Sequence, residues 1–402
     1  MKIKHISEHF LNTLLEDGKI PSSYKSLKYT FSDKLFYDSE YDKYLSKNIQ
    51  APIITYIAFP KFLTPSFFNN ELFKTKKVVQ NNREGFGITI NPDLNDIGQY
   101  LTNHFSKNSR APIIKKIKRL EFCFNINYKV FFGDIDKDYY NYLMNLTHSM
   151  LIKRFNQKND SNFILKNWKK YNDILYPLIT KKKASIFVIY NEKEPIQISI
   201  NFHYNKTFFA FIPAYNIDYA QFGLGNTAVY KQLEWCIQNG YEYLDMGNGD
   251  LDYKIRWCNY KYDLETHIYF KKNHILANLL AFKEEYRVTI INILKKIKNN
   301  TVLKNLKKKL PSRKPTNFNN DSLNYTSENL DTISFYETNI LQEIQLKPNT
   351  DFIHLKKPLY DFLYKTKDHL NQVVLYKIEN KSNTFIIKGT KKNIRISFKQ
   401  SA

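Results

Sequence analysis

The sequence predicts a mixed α/β fold, α+β in arrangement, with central mixed sheets flanked by helices. Three observations support it. Short β-rich segments such as 53–59 and 184–190 alternate with segments of helical periodicity. Hydrophobic residues make up 43% of the 402 residues, enough for extensive cores. Glycine is scarce, yet five of the 11 glycines fall between residues 223 and 249, so close backbone approach is expected there.

Length and composition shifts predict how the chain is divided. A chain of 402 residues is long enough for two or three domains. A basic stretch places one junction near residue 115, and a Pro- and Asn-containing stretch at 311–322 is typical of a linker. The predicted segments are an N-terminal unit (1–115), a unit that carries the chemistry (116–275), a basic amphipathic helix with the linker (276–322) and a small C-terminal α/β unit (323–402).

Several protein classes are excluded by composition. No apolar run approaches the ~18 residues of a transmembrane helix, and the N-terminus lacks the apolar core of a secretory signal. Cys123, Cys236 and Cys258 are dispersed and form no CxxC pair, which excludes a disulfide framework. This cysteine usage fits a reducing cytoplasm. The histidines form no HExxH motif, so we expect no metal.

The net charge of +23 predicts affinity for polyanions such as nucleic acid, anionic lipid or phosphorylated ligands. An AT-rich coding bias towards Lys, Asn and Ile is the alternative explanation. The basic helix at 276–314 has three interpretations: a solvated face, a peripheral contact with the inner face of an anionic membrane, or an RNA contact. No recognised nucleic-acid motif supports the last.

The first half of the chain is expected to mix strands and helices. Strands are predicted at 53–59 and 85–90, and a helix carries Ile97, Leu101 and Phe105 on one face. Residues 120–134 resemble a strand or hairpin. Two helices follow within 138–179, the second of which is expected to end at Pro177.

A strand meander follows the helix pair. Strands are predicted at 184–190, 196–204 and 207–213. A loop at 214–225 leads into a helix that starts at Asn226-Thr227 and stops at Gly240. The next elements are a strand (241–246), a GNGD loop, a short helix in LDYKIRWC and a strand at 265–270.

The glycine loop before the predicted helix is the strongest candidate for a ligand site. Backbone N–H groups at a helix start are unpaired and partly positive, so they can hold a pyrophosphate. Gly223 and Gly225 let the backbone approach a ligand, and Asn226 or Thr227 could cap the helix. A tight strand-to-helix turn is the structural alternative. The loop is not a dinucleotide fingerprint, because GxGxxG is incomplete.

The stretch from Phe211 to Phe270 resembles the acetyltransferase half of FemAB-like, cellulose-biosynthesis-type (CelD-like) GNAT proteins. The likeness covers roughly residues 100–275 well and 1–100 faintly, and its most diagnostic part is the YK pair after GNGD. The matching positions are Tyr215, Gly223, Gly225, Gly240, Asp245, Gly247, Gly249, Asp250, Tyr253, Lys254 and Trp257.

The resemblance implies tandem GNAT-like halves that transfer an acyl group from acyl-CoA, acetyl-CoA first. It implies a donor site on the strand end and loop, formed by Ile212, Ala214, Gln221, Phe222, Gly223, Leu224, Gly225, Asn226 and Thr227. The family pattern has Gln or Arg three residues before the first glycine. Here Ala220 holds that position and Gln221 follows it. This departure keeps open the Fem-type alternative, whose donor is an aminoacyl-tRNA.

The transfer requires a base for the acceptor and an acid for the leaving thiolate. The resemblance makes Tyr253 the acid candidate. Asp250 and Lys254 are spaced i, i+4 and are either catalytic or paired with each other. His203 is the base candidate, with an ordinary exposed strand histidine as its alternative. On the acceptor side we expect Tyr215, Asp245, Gly247 and Gly249, with Asp245 fixing the loop through backbone hydrogen bonds.

Three functions remain open from the sequence. The leading prediction is a cytoplasmic GNAT-type N-acyltransferase acting on an amino-sugar or lipid-linked precursor of the cell envelope or of a polysaccharide. The second is Fem-type aminoacyl transfer from tRNA. The third is a non-catalytic scaffold at the membrane surface, with a degenerate GNAT domain.

Overall fold

The computed structural model describes residues 3–21, 23–32, 35–36, 51–68, 71–156, 163–249, 252–299, 325–330, 341–346, 352–379, 381 and 383–398. The predicted linker at 311–322 and the end of the predicted basic helix, 300–314, lie outside these residues.

A nine-stranded mixed sheet forms the centre of the described part of the chain, in the order β1-β4-β12-β6-β11-β10-β9-β8-β7. Its neighbours are antiparallel except for the parallel pairs β1–β4 and β10–β11. A second sheet has three strands in the order β3-β2-β5. The strands are β1 (His5–His9), β2 (Tyr24–Tyr29), β3 (Leu35–Phe36), β4 (Ile53–Pro60), β5 (Leu63–Phe67), β6 (Phe73–Thr89), β7 (Ile126–Phe131), β8 (Ala184–Asn191), β9 (Glu194–Tyr204), β10 (Thr207–Tyr215), β11 (Tyr243–Asn248) and β12 (Tyr260–Lys271).

Helices cover both faces of this sheet. The described helices are α1 (Phe10–Leu15), α2 (Ile97–His104), α3 (Lys107–Cys123), α4 (Lys137–Asn156), α5 (Phe163–Lys166), α6 (Trp168–Thr180), α7 (Leu224–Gln238), α8 (Asp252–Trp257), α9 (Ile275–Asn299) and α10 (Lys356–Thr366). Helices α4 and α6 pack on one face through residues such as Leu143 and Leu175. Helices α2, α3 and α7 pack on the other through residues such as Ile117 and Leu233. The predicted α/β class, with central mixed sheets flanked by helices, is confirmed.

Strands from both sides of residue 115 share the large sheet. Strand β6 lies between β11 and β12, and it pairs with both in antiparallel register. Residue 115 itself lies within α3. The N-terminal and chemistry-bearing segments of the sequence therefore contribute to one continuous sheet.

Two local predictions in this region are wrong. Residues 107–123 form α3, whereas the sequence predicted a basic junction followed by a strand from residue 120. Ser106 caps this helix by accepting a hydrogen bond from the Ser109 N–H, and Ile113, Ile117 and Leu120 are buried at helical spacing despite the surrounding lysines. Pro177 lies inside α6, which continues to Thr180, because packing outweighs one lost backbone hydrogen bond.

The C-terminal unit is a five-stranded antiparallel sheet with α10. Its strands, β13 (Tyr325–Asn329), β14 (Leu341–Ile344), β15 (Val374–Ile378), β16 (Thr384–Lys388) and β17 (Asn393–Phe398), are ordered β13-β17-β16-β15-β14. Its core is continuous with residues of α3 and of a 3₁₀ helix, Ile217–Phe222, that precedes α7. None of the helices in the described residues combines the length and hydrophobicity needed to cross a membrane.

Candidate active site

A separation of two neighbouring strands defines the candidate site. Strands β10 and β11 pair in parallel at three positions, the last of which joins Phe209 to Asp245. Strand β10 then continues to Tyr215 and β11 to Asn248 without further pairing between them. A bulge between Ala210 and Ile212 bends β10 on its other side. Beyond Phe209 the two strands are no longer paired with each other, and we call the space between them the cleft.

The predicted donor loop lies at the open end of β10. Gly223 adopts the left-handed conformation (φ 70°, ψ 46°), and α7 begins at Leu224. The N–H groups of Asn226 and Thr227 donate to the Gly223 carbonyl at 3.0 and 3.3 Å. Among the described residues, the N–H groups of Leu224 and Gly225 have no backbone acceptor in that turn, so they point out of the helix start.

The helix start differs from its prediction. It lies at Leu224 rather than at Asn226-Thr227, and neither of these two side chains caps it. The Asn226 side chain instead accepts a hydrogen bond from the Trp257 indole N–H at 2.9 Å, and Thr227 is buried. Gly225 faces open space, since a Cβ added there would meet no atom within 4 Å.

A lysine that the sequence analysis missed lies beside this loop. A Cβ added at Gly223 would lie 3.1 Å from Cδ of Lys116 and 3.8 Å from its Nζ. Lys116 belongs to α3, a segment that the sequence predicts to be a basic junction, so the predicted site does not include it. The helical spacing of Ile113, Ile117 and Leu120 was the signal that could have found it. Its ammonium adds a full positive charge to the partial charge of the α7 N-terminus.

The other predicted donor residues are mostly buried beneath the loop. Ile212 and Ala214 face the core on the α4 side of the sheet. The Phe222 ring packs edge-on against Phe124, with centroids 5.1 Å apart. Gln221 is exposed at the end of the 3₁₀ helix. These residues shape the loop, and the surface offered to a ligand is the backbone from Gly223 to Gly225.

A buried carboxylate lies where β10 and β11 separate. Asp245 is only 4% exposed and accepts a hydrogen bond from the Tyr262 hydroxyl at 2.6 Å. Burial raises the pKa of Asp245 to about 6, although hydrogen bonds from Tyr262 and the Gly247 N–H oppose the rise. Lys254 Nζ donates to the Asn248 carbonyl at 2.9 Å, and burial lowers the pKa of this lysine. Asp245 and Lys254 thus both hold the loop after β11.

This loop opens to solvent. Gly247 and Gly249 have φ angles of 71° and 105°, and a Cβ at either position would meet no atom within 4 Å. The Gly249 N–H donates to the Glu84 carbonyl at 3.3 Å, which ties the loop to β6. Asp250, predicted to be catalytic, lies outside the described residues.

The predicted acid, Tyr253, lies near an arginine and a second tyrosine. Arg154, at the end of α4, donates to the Pro213 carbonyl at 3.2 Å, and its guanidinium carbon lies 4.7 Å from the Tyr215 ring centre. Burial raises the pKa of Tyr253, the nearby Arg154 charge lowers it, and Tyr215 raises it again. Tyr253 is consequently protonated at neutral pH. Arg154 Nε is buried without a hydrogen-bond partner in the described residues.

His203 lies away from the cleft. It pairs with Phe208 at the closed end of β10, and it is buried rather than an exposed strand residue. Its Nε2 lies 2.8 Å from Ser185 Oγ, and its Nδ1 lies 2.8 Å from the Tyr241 hydroxyl. Burial lowers the pKa of His203 to about 3. With both nitrogens engaged and a pKa this low, His203 is poorly suited to take up a proton.

A separate cavity does not involve these residues, and no metal site is found among the residues that the structure describes. A cavity of about 580 Å³ lies at the start of β11, lined in part by Ile90, His104 and Glu242, and no predicted site residue lines it. The described residues contain no group of three or more His, Cys, Asp or Glu side chains arranged to hold a metal ion.

Comparisons with known structures give distant likenesses. FemX is 12% identical with a TM-score of 0.40, over 58% of this chain and 75% of that one. A conserved protein of unknown function from Bacteroides thetaiotaomicron VPI-5482 is 10% identical with a TM-score of 0.36, over 55% and 70%. The DUF2156 domain at the C-terminus of a protein named as a lysylphosphatidylglycerol synthetase, from Agrobacterium fabrum, is 9% identical with a TM-score of 0.34, over 56% and 70%. A search of curated protein sequences finds no match.

A protein-family model does match part of the chain. The model is described as an acetyltransferase (GNAT) domain, and it matches residues 138–255. The matched segment runs from α4 into α8, so it includes the donor loop, the separating strands and Tyr253. The segment around the candidate site is therefore similar to a GNAT acetyltransferase domain, and this similarity supports a transferase.

Proposed function

We propose that this protein is an N- or O-acyltransferase that uses acyl-CoA, acetyl-CoA first, and acts in the cytoplasm. The acceptor would be an amine or hydroxyl of a cell-envelope or polysaccharide precursor, such as an amino sugar or a lipid-linked intermediate. The observation that carries the proposal is the cleft between β10 and β11, which opens beside the free N–H groups of α7. The narrower likeness to CelD-like enzymes stays a prediction.

The donor side of this cleft matches the chemistry of coenzyme A. Its pyrophosphate would accept hydrogen bonds from the Leu224 and Gly225 N–H groups and would lie near the Lys116 ammonium. Lys116 would then supply the cation that the loop lacks at Ala220. The amide groups of the pantetheine arm would pair with the free edge of β10, as an added strand does.

The reaction that follows from this arrangement is direct transfer. The acceptor nitrogen or oxygen attacks the thioester carbon, the C–S bond breaks, and coenzyme A leaves as its thiolate. Tyr253, protonated at neutral pH, gives its proton to the thiolate sulfur. The acceptor releases one proton to water, and Tyr253 takes up one from water to complete the cycle. Asp245 and Lys254 position the loop that connects β11 to the helix of Tyr253.

Calorimetric titration with acetyl-CoA, then with longer acyl-CoAs, tests the donor site. We expect saturable micromolar binding to the native chain and loss of binding in Gly225→Trp, whose ring would fill the open space at the helix start. Gly98→Trp is the control, because it adds the same ring at an exposed glycine in the first turn of α2, beside the capping Asp96 side chain and not beside the donor loop. Equal donor affinity in Gly225→Trp and the native chain would contradict the site.

Aminoacyl-tRNA is the second candidate donor, because a basic helix flanks the loop. Helix α3 carries Lys107, Arg110, Lys115, Lys116, Lys118 and Arg119. Binding of charged tRNA that weakens steeply with salt, together with no binding of any CoA thioester, would favour this donor. If the chain bound neither donor, the result would favour the non-catalytic scaffold.

A further inference from the structure

Helix α9 has one apolar face packed on the protein and another exposed. Its inner face contacts β6 and β12 through the buried residues Ala277, Ala281 and Val288. Asn292 fixes the same face, because its side chain donates to the Val79 carbonyl at 2.7 Å and accepts from the Asn81 N–H at 2.9 Å. The orientation of the helix on the sheet is thus set by specific contacts.

The opposite face carries large apolar side chains in solvent. These side chains recur every three or four residues, so they form one stripe along the helix. We call it the α9 outer stripe: Leu279 (60% exposed), Phe282 (54%), Tyr286 (70%), Ile290 (49%), Ile293 (53%) and Ile297 (49%). A continuous exposed apolar surface of this kind marks an interaction site rather than ordinary surface variation.

Cationic side chains accompany the stripe. Lys283, Arg287 and Lys296 are exposed along the same helix. The acidic residues of the helix are already engaged, Glu284 with Arg287 at 2.7 Å and Glu285 with Lys76. Lys76 also lies 3.6 Å from the centre of the Phe282 ring. The surface around the stripe is therefore apolar at its centre and positive at its margins.

We propose that the α9 outer stripe binds the surface of an anionic lipid bilayer, with the helix lying in the plane of the interface. The apolar side chains would enter the acyl boundary, and the flanking Lys283 and Lys296 would contact lipid phosphates. The helix has 25 residues, but its inner face belongs to the protein core, so it lies on the bilayer and does not cross it. The proposal does not depend on the transferase chemistry.

Charge and hydrophobicity favour an anionic bilayer over two other candidate partners of the stripe, a second copy of the chain and a nucleic acid. A second copy of the chain would bring two molecules of net charge +23 together, whereas anionic lipid neutralises that charge. A nucleic acid would contact the cations but would leave the aliphatic side chains in water. An anionic bilayer matches both the apolar centre and the positive margins.

Co-sedimentation of the full chain with large unilamellar vesicles tests the proposal. One set contains phosphatidylcholine alone, and the other contains phosphatidylcholine with phosphatidylglycerol. We expect binding to the anionic vesicles that weakens with salt. The double variant Ile290→Glu/Ile293→Glu should bind these vesicles at least roughly tenfold more weakly, since it removes two apolar side chains from the interface.

A matched control separates this effect from a general loss of surface hydrophobicity. Phe163→Glu/Ile353→Glu makes the same change at two apolar residues that are 65% and 54% exposed but lie outside α9. This control should bind as the native chain does. Donor affinity should be unchanged in both double variants, which keeps the outcome distinct from that of the acyl-CoA titration.

Two results would overturn the proposal. One is equal vesicle binding by the α9 variant and the native chain. The other is a native dimer in vesicle-free buffer that becomes monomeric in the α9 variant when measured by analytical ultracentrifugation, because the stripe would then be a contact between copies. As a positive readout, Tyr286→Trp should show a blue shift of its fluorescence emission only with anionic vesicles.

Discussion

Burial decides which individual side chains of the candidate site can move a proton. Asp245 and His203 are both buried, yet burial raises the pKa of the carboxyl to about 6 and lowers that of the imidazole to about 3. Both shifts favour the neutral form. Tyr253 is only partly buried, and it keeps its proton at neutral pH because its pKa is raised. Of these three groups, Tyr253 is the one suited to give a proton to a leaving group.

Replacing Tyr253 by Phe removes that proton and little else. We expect kcat to fall between about a hundredfold and ten-thousandfold, the usual contribution of a general acid, while the donor dissociation constant stays unchanged. Steady-state kinetics and calorimetry together measure the two effects. Tyr142→Phe, at a 48% exposed tyrosine of α4, is the control. An unchanged kcat in Tyr253→Phe would remove the tyrosine from the mechanism.

Asp245 gives a pH-dependent signature in stability. Its carboxyl has a pKa of 3.8 in the unfolded chain and about 6 in the folded protein, so the folded protein binds more protons between these values. Its contribution to stability is present below about pH 4 and is lost as the pH rises through about 6. The variant Asp245→Asn does not lose stability in this way, because an asparagine side chain does not ionise. Its free energy of unfolding, relative to the native chain, should rise by about 3 kcal/mol across that window.

Urea unfolding of both proteins at a series of pH values measures this difference. The comparison isolates one carboxyl, because every other titrating group is common to the two proteins. If the difference in free energy of unfolding between the two proteins did not change with pH across this range, Asp245 would ionise as an exposed carboxyl does, and the predicted signature would be contradicted.

Only part of the site could be predicted residue by residue. Gly223, Gly225, Tyr253 and Lys254 belong to one stretch of sequence, so the order of elements in that stretch alone pointed to a common site. Lys116 and Arg154 come from helices more than sixty residues before that loop, and only tertiary packing brings them near it. No local pattern in the sequence records such a contact.

At the scale of elements, the strands themselves were predictable and their separation was not. The sequence predicted strands at 207–213 and 241–246, and both are present, as β10 (Thr207–Tyr215) and β11 (Tyr243–Asn248). That they pair at only three positions depends on the bulge in β10 and on the irregular pairing of β11 with β6. Register between distant strands is a property of the folded sheet, so the cleft could not be inferred from either segment.

Strand β6 supports the cleft through two glycines. The Tyr262 ring lies where a Cβ of Gly85 would be, and the Tyr243 ring does the same at Gly87. Gly85→Ala would force the Tyr262 ring away from Asp245, so we expect the free energy of unfolding to fall by about 1–3 kcal/mol. Chemical denaturation measures the change. Gly225→Ala, with no atom within 4 Å of the new Cβ, should change it by less than about 0.5 kcal/mol.

Equal stabilities of Gly85→Ala and Gly225→Ala would contradict this account of β6. The pair is a stringent comparison, because both variants add the same methyl group to the same protein. They differ in whether the space beside the backbone is filled by a tyrosine ring or is open.

At the scale of the whole molecule, composition predicted the class of fold, and the sequence order predicted most of the elements between residues 184 and 270. It did not predict that β6 would lie between β11 and β12, since that pairing joins segments more than 150 residues apart. It also did not predict where the C-terminal unit packs. Its hydrophobic residues could have formed a separate core, yet they join those of α3 and the 3₁₀ helix before Gly223.

That shared core couples two distant parts of the chain. In α10, Tyr360 lies 4.5 Å from Tyr219 between ring centroids, and Tyr364 lies 5.2 Å from Phe222. Tyr219 and Phe222 belong to the turn that ends at Gly223, so the C-terminal unit restrains the backbone that would receive a phosphate. Coupling free energies are reciprocal. A ligand that orders this turn must therefore strengthen the docking of the C-terminal unit, and whatever loosens that docking must weaken the ligand by the same factor.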